Sequence, residues 1–174
     1  MRNQIDEKLI EYSVFKDSDL YLGTATVQLP NLQGITTQIK GAGIGGEFES
    51  ITPGYFSSMT MSFKWRTAPE PSAVILMEPV AHLITFRSVI QRFDKTKINY
   101  FDVGKKITVK CFTKNFDMGQ ADNLATMDAS TELEVLYIKS EEDDKVLFEV
   151  DKLNNIYKVN GRDWSENRRR MLGL

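Results

Sequence analysis

Apolar residues in this chain recur in short runs, and in several of them they alternate with polar neighbours. Ile107, Val109 and Cys111 form one such series, and Leu133, Val135 and Tyr137 form another. A period of two puts alternate side chains on one face of a strand. Between the runs lie clusters of turn-forming residues: Asp17-Ser18-Asp19, Pro30-Asn31, the glycines of 41–46, Pro53-Gly54, residues 102–104 and 117–119, the acidic run 141–144, and Asn160-Gly161. That spacing predicts antiparallel strands joined by hairpins, among them 35–40, 59–66 and 83–92. One segment changes period. Pro69, Glu70, Pro71 and Ser72 precede residues 73–82, where Val74, Met77 and Ala81 fall at i, i+3 and i+7. A short helix is expected there, ended or interrupted near Pro79 and covering one open end or face of the sheet. The fold class read from the pattern is mainly β, or α+β: an antiparallel sandwich or barrel-like domain with one short helix.

Composition supports a single domain over 1–174. The chain has 174 residues, 41% of them hydrophobic, which is enough to bury a core, and it shows no repeat, low-complexity tract or dividing linker. A net charge of -2 gives no global electrostatic reason to coat nucleic acid or an acidic membrane. The first residues carry charges without the apolar core of a signal peptide, and no run approaches the length of a membrane span, so a cytoplasmic product without membrane binding is expected. The single cysteine, Cys111, sits in an alternating run and reads as a small buried hydrophobe.

Candidate chemistry is sparse. Gly41, Gly43 and Gly46 satisfy G-x-G-x-x-G, but a dinucleotide site needs a helix opening at the loop and an acidic residue about 20 positions on. Here Thr52-Pro53-Gly54 follows, and no acid occurs between Glu49 and Glu70. His82 is the only histidine, which leaves no His-rich metal site, and no nucleophile signature surrounds Cys111. The run Glu141, Glu142, Asp143, Asp144 lacks the alternating ligands of a calcium loop and reads as a solvated hairpin turn. No catalytic, cofactor or metal site is assigned. Charge is nonetheless uneven. Arg87, Arg92, Lys95, Lys97, Lys105, Lys106, Lys110 and Lys114 crowd the segment 83–115, and acids dominate 116–151. Two readings stay open: pairing between neighbouring strands, or head-to-tail association of copies through a basic and an acidic face.

The C-terminal run Ile156-Tyr157-Lys158-Val159-Asn160-Gly161-Arg162-Asp163, followed by Asn167-Arg168-Arg169-Arg170-Met171-Leu172-Gly173-Leu174, resembles the closing segment of the major tail tube proteins of contractile-tailed phages and phage-tail-like (R-type) bacteriocins. Similar correspondences run along the chain. They include strand 21–29 with Leu29-Pro30-Asn31-Leu32, the Gly-rich element Lys40-Gly41-Ala42-Gly43-Ile44-Gly45-Gly46, and Met61-Ser62-Phe63-Lys64-Trp65. The acidic hairpin at 141–144 and the helix sequence depart from the family pattern.

The resemblance implies a structural subunit, not an enzyme, that needs no cofactor and forms hexameric rings stacked into a hollow tube, a conduit and piston inside a contractile sheath. Its implied partners are copies of itself, the sheath protein, a baseplate or tube initiator and the tape-measure protein, with DNA only as passing cargo. Assembly would take place in the host bacterial cytoplasm, before release as part of a phage tail or bacteriocin particle. An N-terminal arm at 1–10, an extended inter-ring loop at 41–56 and a C-terminal tail at 162–174 are expected. Contact candidates are Gly41, Gly43, Ile44, Glu47, Phe48, Glu49, Tyr55 and Phe56 in the loop, and Arg168, Arg169, Arg170 and Leu172 in the tail. The rival readings are a small-ligand-binding β-barrel with an apolar cavity, a hydrolase built on Cys111, and a tube initiator or baseplate ring component.

Overall fold

A computed structural model describes residues 3–24 and 26–174. Its elements in chain order are β1 (Gln4–Lys16), β2 (Leu20–Tyr21), β3 (Thr26–Gln28), β4 (Gly34–Lys40), β5 (Glu47–Phe56), β6 (Met59–Trp65), α1 (Pro71–Leu76), β7 (His82–Asp94), β8 (Asn99–Asp117), β9 (Ala129–Glu142), β10 (Lys145–Asp151), β11 (Ile156–Val159), β12 (Arg162–Asp163) and α2 (Glu166–Leu172). The fold is mainly antiparallel β, as the alternation predicts.

Ten strands form one sheet in the order β12-β11-β10-β9-β8-β7-β1-β2. The short β3 joins it through β6, and β6 pairs with β9. Thus β9 is bordered on one side by β8 and on the other by β6 along its first half and β10 along its second. Register explains the core. Met59, Met61, Phe63 and Trp65 of β6 stand opposite Val135, Leu133, Thr131 and Ala129 of β9. The same face continues through Cys111 and Val109 of β8, His82, Ile84 and Phe86 of β7, and Val14 of β1. Nearly all of these are buried in one cluster, which Ala73 and Leu76 of α1 join. Trp65 is fully satisfied there, its Nε1 donating to Thr131 Oγ1 at 2.9 Å.

Four local expectations change. Strand 21–29 is divided: β2 pairs with β1 and β3 with β6, so the chain crosses between distant parts of the sheet around buried Leu22. Residues 102–104 form no turn but lie inside β8, opposite Gln91, Ile90 and Val89. The turn is at 95–98, held by Asp94 Oδ1, which accepts from Thr96 N at 2.8 Å and Lys97 N at 3.0 Å. The first helix has six residues, and its periodic positions Val74 and Met77 are exposed, whereas Ala73 and Leu76 bury. Its short length leaves little more than one turn to contact the core. A second helix, α2, forms near the C-terminus and closes on Gly173 in the left-handed conformation, φ 74°.

Of the acidic run expected to form a solvated turn, Glu141 and Glu142 instead end β9, with Glu141 buried, and only Asp143 and Asp144 make the turn. Asp143 and Asp144, at φ 45° and 63°, join β9 to β10 in a conformation suited to two-residue hairpins. Ile98, at φ 53°, is a different matter, because a β-branched side chain in the left-handed region costs roughly 1–2 kcal/mol and this one is exposed. Ile98→Asn is therefore expected to raise the unfolding free energy by about 0.5–1 kcal/mol in urea titration, since asparagine tolerates that backbone.

Candidate assembly surfaces

Between β3 and β6 the chain leaves the main sheet as the hairpin β4–β5, whose strands pair only with each other. Ile39 faces Phe48, Thr36 faces Ile51, and Lys40 faces Glu47. Gly41, Gly43, Ile44 and Gly46 lie at or beside the tip, where Ile44 N donates to Gly41 O at 3.2 Å and no helix opens. Glu47, Phe48, Glu49, Tyr55 and Phe56 belong to β5, so the segment read from sequence as a loop is mostly strand. Pro53-Gly54 does not end that strand because it falls in an irregular stretch of pairing between Thr36/Ile51 and Gly34/Phe56, where proline withholds no ladder bond and glycine takes φ 83°.

Beyond its root the hairpin leaves its apolar side chains exposed. Phe48 is 52% and Ile51 64% exposed, and Ile35, Ile39, Ile44 and Tyr55 are exposed as well. A two-stranded ribbon showing apolar groups to water is marginal by itself. Its root is where stability enters. Phe56 packs edge-on against Tyr157 with ring centroids 5.4 Å apart, and Ser57 N donates to Gln33 O at 2.9 Å.

The C-terminal segment reaches the same root. Arg168 donates from both terminal nitrogens to Pro53 O at 3.2 Å, and its guanidinium lies 5.0 Å from the Tyr55 ring centroid. A Cβ on Gly54 would sit 2.9 Å from Ser165 Oγ and 3.2 Å from Tyr157 Cβ, so the strand passes the tail at glycine distance. The three arginines therefore do different things. Arg168 joins tail to hairpin, and Arg169 turns inward to Asp163 Oδ2 at 2.6 Å and Asn155 O at 2.9 Å. Arg170 donates to Asn167 Oδ1, one turn back on α2, at 2.6 Å. Leu172 is exposed beside Met171 and Leu174. The structure thus brings Arg168 to Tyr55, packs Phe56 on Tyr157, and leaves Phe48, Ile44 and Leu172 exposed. Sequence reading did not select Ile35, Ile39 or Pro53, because a strand paired only within its own hairpin has the same alternation as one that packs.

The Arg169 guanidinium holds the Asp163 carboxyl below the usual carboxylate range, with help from the Ser165 amide against the effect of burial. A carboxylate depressed in the folded state contributes stability that is complete above its unfolded value, near pH 4, and lost as pH falls through the lower folded value. Amides of 166–172 are accordingly expected to lose hydrogen-exchange protection below about pH 4, and Asp163→Asn to lose it already at neutral pH.

Part of the uneven charge seen in sequence is paired inside the chain. Lys106 meets Glu141 at 2.9 Å, and Lys139 meets the same carboxylate at 3.1 Å. Arg92 is buried between Asp6 and Glu142, and Lys105 lies within 4 Å of both. Arg92 first and Lys105 after it hold the Glu142 carboxyl below its ordinary range. These pairs follow directly from the register of β1, β7, β8 and β9.

A model of the family described as phage tail tube protein FII matches residues 6–173, nearly the whole chain. The chain belongs to that family. No curated protein matches it. As a tail tube protein it is a structural component of a phage tail.

The chemistry around the other candidates agrees with a structural role. Cys111 and His82 are cross-strand partners, but the thiol donates to the His82 backbone oxygen at 3.6 Å, not to the ring. Burial pushes that thiol up to about 12. His82 is buried with Nε2 against Glu78 O at 3.2 Å. A maleimide should label Cys111 only as fast as the protein unfolds, with complete labelling in denaturant. A cleft of about 480 Å³ beside β1 is open to solvent and lined by residues that include Tyr12, Arg87, Val89, Lys105, Lys106 and Glu141. Among the described residues no group of three or more His, Cys, Asp or Glu side chains could hold a metal ion, and no helix is long and apolar enough to cross a membrane.

Proposed function

We propose that the chain is the inner-tube subunit of a contractile tail or related injection particle, closing into rings of six that stack into a hollow conduit inside a sheath. The observation that carries this reading is the β4–β5 hairpin, an exposed apolar ribbon rooted firmly at its base. Reaching the adjacent ring would bury Phe48, Ile51 and Ile44 where water is excluded. Ring closure has a physical route too. Residues 4–13 of β1 have no strand on their outer edge among the described residues, and an open edge invites pairing with a neighbouring copy.

In this role the protein binds no cofactor and does no chemistry. Its work is mechanical: a rigid barrel of joined sheets transmits the thrust of a shortening sheath. The sheath, a baseplate or initiator and the tape-measure protein would meet surfaces outside the ring contacts, and DNA would pass as cargo in a phage. Assembly in a bacterial cytoplasm and release within the particle follow from the same reading, with residues 41–56 as the inter-ring loop and 162–174 as the tail that braces it. Residues 1–10 would act as the arm, whose residues from Gln4 onward belong to β1 and pair with β7. Negative-stain electron microscopy of the purified protein over a range of concentrations tests it. Hollow tubes of uniform width are expected; isolated rings that never stack would indicate an initiator component instead, and monomers at every concentration would contradict the proposal.

A further inference from the structure

Among the described residues, the two ends of one strand carry charges of opposite sign that the internal ion pairs leave unused. β8 runs from Asn99 to Asp117, an extended path of up to about 60 Å. At its start, the β7–β8 turn carries Lys95 and Lys97, which make no ion pair among the described residues. At its end, the β8–β9 loop carries Asp117, Asp122 and Asp128 with no basic residue from 116 to 128. Each end also projects an aliphatic side chain from a left-handed backbone. Ile98 has φ 53° and 78% exposure, and Leu124 has φ 60° and is fully exposed.

Both ends are built to hold their shape. The turn is tied by Asp94 and by Lys95 N to Asn3 O at 2.9 Å. The loop is pinned at Gln120 N to Met127 O, 2.8 Å, and at Met127 N to Arg66 O, 2.9 Å. Gly119 passes Met127 so closely that a Cβ would lie 1.9 Å from its carbonyl oxygen. Residues 121–126 are thereby presented outward from a fixed base. Fixed, oppositely charged ends that each show an apolar group suit a heterologous contact, which propagates from copy to copy.

We propose that a second copy of this chain is the partner of both ends: the basic β7–β8 turn of one subunit docks on the acidic β8–β9 loop of the next, with Ile98 and Leu124 in the contact. This rests on the tube reading and adds a contact that uses neither the β4–β5 hairpin nor the C-terminal tail. Lys95 and Lys97 supply the charge that orients the encounter, and Asp122 and Asp128 receive it.

Ile98→Cys and Leu124→Cys variants, mixed before assembly and treated with a short bis-maleimide, test the contact against a silent background, since Cys111 is buried. A covalent dimer is expected from the mixture and not from either variant alone. Lys95→Glu/Lys97→Glu should raise the concentration needed for assembly about tenfold or more, and mixing it with Asp122→Lys/Asp128→Lys should restore assembly. Wild-type tubes together with a mixture that cross-links no better than its components would overturn this contact and leave the tube reading standing. A wild type that never assembles would overturn both.

Discussion

A Phe48→Asp/Ile51→Asp variant is expected to fold like the wild type and to form no tubes. Both side chains are more than half exposed in the subunit, so the change removes little from its stability, about 0.5 kcal/mol or less. In an assembled tube the same positions would be buried. Each lost apolar group there forfeits about 1.5–3 kcal/mol, and each carboxylate introduced without a partner adds a further desolvation cost of several kcal/mol. These terms repeat in every subunit of a ring. Sedimentation and thermal unfolding, run side by side, separate the two effects: an unchanged melting temperature with all protein in the supernatant is the expected outcome. Pelleted tubes of ordinary length would show that the hairpin does not join rings.

Gly54→Val should be the most damaging single change near the hairpin root, costing about 2–5 kcal/mol. A valine there must hold φ 83°, worth roughly 1–2 kcal/mol, and must also push aside Ser165 and Tyr157, an overpacking cost of about 1–3 kcal/mol. Gly43→Val makes the matched control. Its φ is 86°, yet a Cβ meets nothing within 4 Å, so only the backbone cost remains. Equilibrium unfolding of the two variants should differ by the packing cost alone. Equal losses would mean that the hairpin root and the C-terminal segment do not press together as described.

Much of the architecture was legible because alternation survives wherever a strand has one wet face. Ile107, Val109 and Cys111, and Leu133 and Val135, sit where a period of two puts them, whereas Tyr137 does not, because a bulge after Val135 turns Ile138 to the core instead. The Asn160-Gly161 and Asp143-Asp144 turns close the hairpins that their chemistry specifies. Misreadings arose where local chemistry was overruled by pairing. Asp102 and Gly104 carry turn propensity, yet β7 and β8 pair continuously past them, and the Gly104 amide is taken up by Asp143 Oδ1 at 3.2 Å. In α1 the helix is too short for its i, i+3, i+7 series to define a buried face.

The assembly surfaces were legible in composition more than in geometry. Glycines flanked by Ile44, Phe48 and Tyr55 marked a segment with apolar groups and no core to enter. Nothing in Arg168, Arg169 and Arg170 distinguished the one that grips Pro53 from the one that pairs with Asp163, because those partners lie in other parts of the fold. The charge asymmetry could not be resolved either until register set Lys106 beside Glu141 and Arg92 beside Glu142.

The most direct test of the central claim is a cryo-electron microscopy reconstruction of assemblies grown from the wild-type protein. The account predicts a hollow tube of stacked six-fold rings with residues 41–56 of each subunit buried against the ring next to it and β1 joined to a neighbouring sheet. Assemblies in which that hairpin projects freely into solvent, or particles without stacked rings, would contradict it.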